Sequence, residues 1–328
     1  MDSAGAGGLA AGVSGAPLLS EPGRPAVRLP LKPLLLVLGA AATVYAVVLA
    51  LFGESSPVAT LQRLVSLAGL QAVALCLLNY LLRGLRWRLW MAHYGRPMKL
   101  TDALRLYLAG YTFTPTPGNI GEAARGLLLA RHPLSTAQSL AIFGAERLAD
   151  LLCLLLLCLP VAWWLATLAG PGLTFGLIGL AALAVLAAAV LFFRFRETLL
   201  RRFVWLQEAW GCLATRPLLW LGLSLVAWAA QGLAVWLLCR EAGLSVTALE
   251  ATGFYAVAMV GGALSLLPAG LGGMEALLTA LLVAQGASAA LALGITVQVR
   301  LVTLWLAVAI GALALVYSAA IRQDISFK

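Results

Sequence analysis

The chain has 328 residues, 62% of them hydrophobic and only 11% charged, with a mean hydropathy of +0.97. A soluble domain carries about a quarter charged residues, so the composition excludes an ordinary globular domain and asks for several helical membrane spans; continuous Leu/Ala-rich runs exclude a transmembrane β-barrel, whose strands alternate apolar and polar residues. The net charge of +9 does not point to nucleic acid, because the basic residues lie between apolar runs without an aromatic-plus-basic platform; they read as topology signals and contacts to anionic headgroups.

Residues 1–30 are rich in Gly, Ala, Ser and Pro and lack periodicity, which predicts a disordered tail. No short apolar region follows a basic start directly, so a cleavable signal peptide is not expected. Arg24, Arg28 and Lys32 precede a first span at 34–52, and a second covers about 64–82. The basic segment 83–99 follows, and the positive-inside rule places it and the N-terminus in the cytoplasm. Within it Arg86, Trp87 and Trp90 fit an interfacial helix with aromatics at headgroup depth.

The segment 101–131 is too short and too interrupted for two full spans. It predicts a re-entrant hairpin, with a half-helix at 101–113, a break at 114–119 and a second half at 120–131. Irregular backbone at membrane depth needs protein or a water-filled cavity around it. A long helix at about 135–168 comes next, then a span at 173–193. In the basic loop 194–216, Leu199, Phe203, Leu206 and Trp210 share one helical face, which predicts a helix lying on the cytoplasmic surface. A span at 218–238, a second broken hairpin at about 247–285 and a last span at about 288–318 complete the chain.

The predicted fold is an all-α polytopic membrane protein with about six transmembrane helices and two re-entrant broken-helix hairpins. One transmembrane domain covers 31–320, with repeats at about 101–168 and 247–318 and a cytoplasmic tail at 321–328. Most of the 22 Lys and Arg then lie in or beside the cytoplasm, as do both termini. The first hairpin enters from inside and the second from outside, so the copies form an inverted repeat, the device by which secondary transporters build midplane sites from broken helices. Eight continuous spans are the alternative.

The duplication is written in the residues. Pro117, Gly118, Gly121 and Glu122 lead to Arg125 and then to Glu146, Arg147 and Asp150. Pro268, Gly270, Gly272, Gly273 and Glu275 lead to Arg300. With Glu122 set on Glu275, Ser135 falls on Ser288, Ile142 on Ile295 and Arg147 on Arg300. An ionisable residue at mid-helix costs about 2.5–3.5 kcal/mol on insertion scales, so such residues face the protein interior, pair, or line an aqueous path. Glu146 and Asp150 share a helix face, and Arg147 is spaced to pair with Asp150. One reading makes Glu122–Arg147 and Glu275–Arg300 ion pairs tying each hairpin to its helix. The other adds an anionic headgroup or phosphate held by the two arginines, whose guanidinium forks suit it. Glycines at the breaks would let backbone amides approach, and a half-helix N-terminus would add its dipole. The two readings are compatible.

Other chemistry is poorly represented. There is no Walker A, HExxH or GxSxG sequence. Cys76, Cys153, Cys158, Cys212 and Cys239 lie in or beside apolar segments without a CxxC pair and read as packing residues. With His93 and His132 the two histidines, no His-based metal site and no cofactor are expected.

These motifs, with Arg83-x-x-Arg86-Trp87 before them, fall in order across residues 80–305 and resemble the lysylphosphatidylglycerol synthase transmembrane region, a flippase-like family. The resemblance implies lipid translocation; in two-domain members this region is similar to a flippase for aminoacylated phosphatidylglycerol, and other relatives are linked to polyprenyl-phosphate glycolipids or hopanoids. The sequence ends at Lys328, soon after the last span, so the soluble aminoacyl-transferase domain is not expected here, nor synthesis of aminoacyl lipid. The leading expectation is an inner-membrane lipid flippase, not an enzyme, for a phosphate-bearing lipid such as an aminoacyl-phospholipid or a polyprenyl-phosphate-linked glycolipid. Its residues would be Arg147, Arg300, Glu122, Glu275, Arg125, Glu146, Asp150 and Arg86 with the Pro/Gly breaks. Two alternatives stand beside it: a membrane enzyme acting on a lipid-linked phosphate or sugar, and a docking partner for a lipid-biosynthetic enzyme. A homo-oligomer is left open.

Overall fold

A computed structural model describes residues 62–116, 119, 122–123, 125, 134–161, 202–265 and 267–321, with scattered positions at 39–47 and 164–198. The expected tail at 1–30, most of the spans at 34–52 and 173–193, most of 120–131, the end segment 322–328, and Pro117, Gly118 and Gly121 lie outside the described residues.

The described residues are helical, with no strand among them. In chain order the helices are α1 (Leu67–His93), α2 (Leu100–Gly110), α3 (Thr136–Leu157), α4 (Val204–Ala214), α5 (Pro217–Glu241), α6 (Ala248–Leu264), α7 (Gly273–Ala284), α8 (Ala289–Arg300) and α9 (Leu306–Ile321). Their starts follow from sequence. Ser66, Ser135, Thr247 and Ser288 each accept a backbone N–H of the first turn with the side-chain oxygen, and Gln138 and Glu250 return the bond to form capping boxes. Pro217 opens α5, where its missing N–H costs nothing. Gly286, at φ 105°, closes α7 and turns the chain into α8, and its successor Ala287 donates back to the Leu282 carbonyl at 3.0 Å.

Three of these stretches are long and apolar enough to cross a membrane: Leu67–His93, Pro217–Glu241 and Ala289–Ser318. The last is α8 and α9 joined by a π turn over Leu301–Trp305. The α6 and α7 helices, 17 and 12 residues long, are apolar but short. At about 1.5 Å per residue each falls below a hydrocarbon thickness of about 30 Å. They pack against each other across a break containing the 3-10 turn Pro268–Gly270. In the first copy α2 runs on through a 3-10 turn at Tyr111–Phe113.

The α1 helix corrects one expectation. Hydropathy stops the second span at the first arginine, whereas α1 continues unbroken through Arg83, Arg86, Trp87 and Trp90. Arg86, Trp87 and Trp90 are 0%, 2% and 0% exposed, so they are packed inside the protein and do not present their side chains outward. The reason is a carboxylate on another helix that accepts the charge. The α3 helix has the same inside-out design. Leu148, Leu151, Leu152, Leu155 and Leu156 are exposed, while Glu146 and Asp150 are buried. It ends at Leu157, earlier than expected, although 159–161 are again helical.

Around this core α1 packs on α5, α3 on α4, α5 and α6, and α9 on α2. In α4, Ala209 and Cys212 are buried; of the face read from the sequence, Phe203, just before the helix, and Trp210 are exposed, Leu206 is half-buried and Leu199 lies outside the described residues. Tight spots sit where the broken hairpin closes. A Cβ on Gly262 would come within 2.8 Å of the Met274 Cβ. Gly262→Leu should therefore push α6 and α7 apart and cost about 1–3 kcal/mol, read as a lower melting temperature of the purified protein. An unchanged Tm would mean that the two half-helices are not packed this closely.

Candidate functional site

Asp150 on α3 is where three helices meet. Arg83 and Arg86, on one face of α1, donate to its two carboxylate oxygens at 2.8 and 2.7 Å. Trp228 on α5 donates its indole N–H to Oδ1 at 3.1 Å. Arg86 also donates to Ser224 Oγ on α5 at 2.7 Å. The Arg83 guanidinium lies over the Trp228 ring, 5.2 Å from its centroid.

One turn earlier on α3, Glu146 accepts two bonds from Arg125, at 3.1 and 2.9 Å. Arg125 donates as well to the Glu122 carboxylate and to the Glu122 carbonyl, each at 2.8 Å. Thr114 Oγ1 donates to the other Glu122 oxygen at 2.9 Å. The Arg125 side chain crosses α2 where Gly110 leaves room and covers the Tyr107 ring. Arg147 joins the two acids more loosely, at 3.4 Å from Glu122 and 3.5 Å from Asp150. Its side chain is 31% exposed, against 8% or less for Arg83, Arg86 and Arg125.

The second copy is built around Glu275 and Arg300. Glu275 Oε2 accepts the Gly272 N–H at 2.8 Å, and Oε1 accepts from Arg300 Nε at 2.6 Å. Arg300 Nη2 donates to the Ala269 carbonyl at 2.9 Å. This arginine thus braces a break in which Ala269, Gly270 and Gly272 all have positive φ. Ala269 is strained there, and Gly272, at φ 85°, takes a conformation that glycine adopts freely. Just past Arg300 the π turn exposes carbonyls, and Tyr80 OH lies 3.1 Å from those of Val302 and Thr303.

The sequence register of the two copies corresponds to like local structure. Asn119 and Gly272 each have a positive φ three residues before the glutamate. Ser135 and Ser288 both cap helices, and Ile142 and Ile295 are both buried. Both Glu–Arg pairs form.

The two copies reach one polar cavity of about 80 Å³. Arg83, Arg147 and Arg300 line it with Glu122, and Asn119 and Ala269 bring the two breaks to its wall. Tyr80, Tyr111, Gln231 and Tyr255 add polar groups from α1, the 3-10 turn, α5 and α6. Beside it lies a larger, mainly apolar cleft of about 280 Å³ between α3 and α6, walled by Leu151, Leu154, Leu267 and Met274. Asn119, Arg147, Trp228, Met259 and Ala269 belong to both.

Several residues singled out in sequence act at one remove. Arg86, Arg125 and Glu146 are buried and absent from the cavity wall, holding Asp150 and Glu122 in place. Gly270 lines the apolar cleft, while Pro268, Gly272 and Gly273 shape the break. The Gly272 amide, expected to face a ligand, is taken by Glu275. Arg147 and Arg300, expected to be equivalent, differ in exposure and in grip: Arg147 is 31% exposed with pairings of 3.4 and 3.5 Å, whereas Arg300 is 3% exposed and bonds Glu275 and the Ala269 carbonyl. Sequence reasoning missed Arg83, Tyr80, Tyr111, Trp228, Gln231 and Tyr255 as cavity residues. One signal was available: Gln231 is a polar residue in the middle of an apolar span.

Among the described residues no group of His, Cys, Asp and Glu has the arrangement of a metal site. Cys212, on α4 outside the predicted spans, is buried with its thiol pushed up to about 11 by desolvation, which suits a packing role.

A family model described as the lysylphosphatidylglycerol synthase TM region matches residues 33–311. No curated protein and no solved structure matches the chain.

Proposed function

The chain belongs to the lysylphosphatidylglycerol synthase transmembrane family, and from that premise we propose that it is an inner-membrane translocator for a lipid with a phosphate-bearing headgroup. The observation that carries the reading is the pair of adjoining compartments. One is polar and has three arginines in its wall, the other is mainly apolar, and Arg147 and Trp228 stand between them. A lipid would place its headgroup in the first and leave its chains toward the second, among the leucine and methionine side chains of its wall. Arg147 would bind the phosphate, since it is the most exposed and most loosely paired of the buried-cluster cations. Arg300 and Glu275 would hold the second break against the cavity. The short α6 and α7 helices suit a re-entrant hairpin, and the matched register of the two copies suits an inverted repeat.

Catalysis fits less well. Hydrolysis by Glu146 or Asp150 would need a carboxylate at liberty to act as acid or base, and both are bound to arginines. Proton coupling through them would likewise require those pairs to break, so downhill exchange is the simpler mechanism.

Mass spectrometry of lipids retained by the purified protein tests the proposal. Wild type should be enriched in one phosphate-bearing lipid, and folded Arg147→Ala should lose that enrichment. Bulk-like lipid in both proteins would overturn it and favour a docking role for the basic surface around Arg202.

A further inference from the structure

The last span is not a plain α-helix. Between α8 and α9 the π turn at Leu301–Trp305 takes in one residue more than an α-helical turn. Leu306 donates its N–H to the Leu301 carbonyl, five residues back, and so passes over the Val302 carbonyl that it would reach in an α-helix. Val302, Thr303 and Leu304 are buried, where a carbonyl without a donor costs free energy. The Tyr80 hydroxyl, brought in by α1 and itself buried, lies 3.1 Å from both the Val302 and the Thr303 carbonyls and donates between them.

The turn decides where Arg300 points. Residues eleven apart in an α-helix lie within about 20° of one another, so without the turn Arg300 and Gly311 would share a face. The extra residue sets α9 back by about 100° relative to α8. Arg300 thereby faces Glu275 and the Ala269 carbonyl of the second break, while Gly311 faces the Leu108 carbonyl and the Thr112 N–H of the first copy. Gly311 has no room to give way. A Cβ there would lie 2.6 Å from the Thr112 nitrogen and 2.8 Å from the Leu108 oxygen, and turning α9 by one residue would bring Ile310 or Ala312 to that place. Straightening of the π turn into α-helix would therefore swing Arg300 off the second break.

We propose that Tyr80 is a positioning residue for Arg300. Its hydroxyl holds the π turn, and the turn keeps the guanidinium on the break whose Ala269 borders the polar cavity. The placement of Arg300 does not depend on the translocator reading, and its bearing on transport rests on that reading.

The test is hydrogen–deuterium exchange of the full chain purified in neutral maltoside detergent, followed in peptides covering 267–276 and 300–307. Tyr80→Phe removes the hydroxyl and keeps the ring. It should speed exchange at 267–276 roughly two- to tenfold, the weight of one neutral hydrogen bond, as well as at 300–307. Arg300→Ala should loosen 267–276 by itself, and Tyr80→Phe added to it should loosen that segment no further, because the two act in series. Deletion of the half-buried Leu301 should rescue Tyr80→Phe. With the extra residue gone, a plain α-helix keeps the facings of α8 and α9, and no carbonyl needs the hydroxyl. An effect of Tyr80→Phe confined to 300–307 overturns the proposal, as do additive effects of Tyr80→Phe and Arg300→Ala at 267–276; both readings hold even if the deletion variant does not fold. A folded deletion variant that leaves 267–276 loose overturns it too. Liposome translocation of phosphatidylglycerol by the wild type separates the two levels. Absence of transport beside the expected exchange pattern would refute the translocator and keep the role of Tyr80, whereas transport beside additive exchange effects would do the reverse.

Discussion

Asp150→Ala should be the most destabilising single substitution in the described part of the chain. It removes the carboxylate that accepts from Arg83, Arg86 and Trp228 and leaves two guanidiniums, both nearly inaccessible, with no neighbouring anion at those positions. Breaking a buried ion pair from one side costs about 3–5 kcal/mol, more than forming the pair contributes, because the orphaned charge stays desolvated. Here two cations are orphaned by one change. The expected result is a protein that fails to accumulate in the membrane, or that melts far below wild type in detergent. The compensating variant is Asp150→Leu with Arg83→Met and Arg86→Met. It removes the charges together and should recover much of the lost stability, since apolar replacement of a buried ion cluster is often near neutral. That recovered protein should not bind anionic lipid, because Arg83 is part of the cavity wall. If Asp150→Ala melts like wild type, the carboxylate is not the counter-charge of α1 and the arrangement of the three helices around it is wrong.

Arg147→Ala should show the opposite profile, a large loss of transport with little loss of stability. Its side chain is 31% exposed and its two pairings are long, so removing it deprives Glu122 and Asp150 of little that Arg125, Arg83 and Arg86 do not already supply. A hydrogen bond to a charged group is worth about 1.5–3 kcal/mol, which sets the expected fall in headgroup affinity at roughly tenfold to a hundredfold. Arg147→Lys should retain part of the binding, because an ammonium restores the charge but not the two-pronged geometry. Arg300→Ala serves as the comparison. It removes one donor from Glu275, which keeps the Gly272 N–H, and one from the Ala269 carbonyl at a strained break, so stability and transport should fall together. Headgroup binding by Arg147→Ala equal to that of wild type, in the retained-lipid measurement, would remove Arg147 from the site.

The element boundaries were largely legible because they are local. Thr247 and Ser288 start helices where capping chemistry says they should, and the second break lies at the Pro/Gly cluster. The pairing of Glu275 with Arg300 was legible for a different reason, since the chain writes it twice in the same register. The end of α1 was not legible. Hydropathy weighs Arg83 and Arg86 against lipid, and nothing nearby in sequence announces that Asp150 accepts them from 64 and 67 residues away. For the same reason nothing near Trp87 and Trp90 in sequence announces that their side chains are buried within the protein. The unequal roles of Arg147 and Arg300 were equally hidden, because they depend on where the Ala269 carbonyl and the buried acids happen to lie.

The sequence by itself determined that this is a helical membrane protein, where several of its helices start, where the second break lies, and which charged residues must be accommodated inside. Those properties follow from composition, caps and the cost of placing charge in lipid, all of which act locally along the chain. The tertiary structure alone decided that both breaks border a single cavity, that three arginines face it, and that an apolar cleft adjoins it. Those facts depend on which helix faces which, set by long-range packing and by carboxylates that choose partners across space.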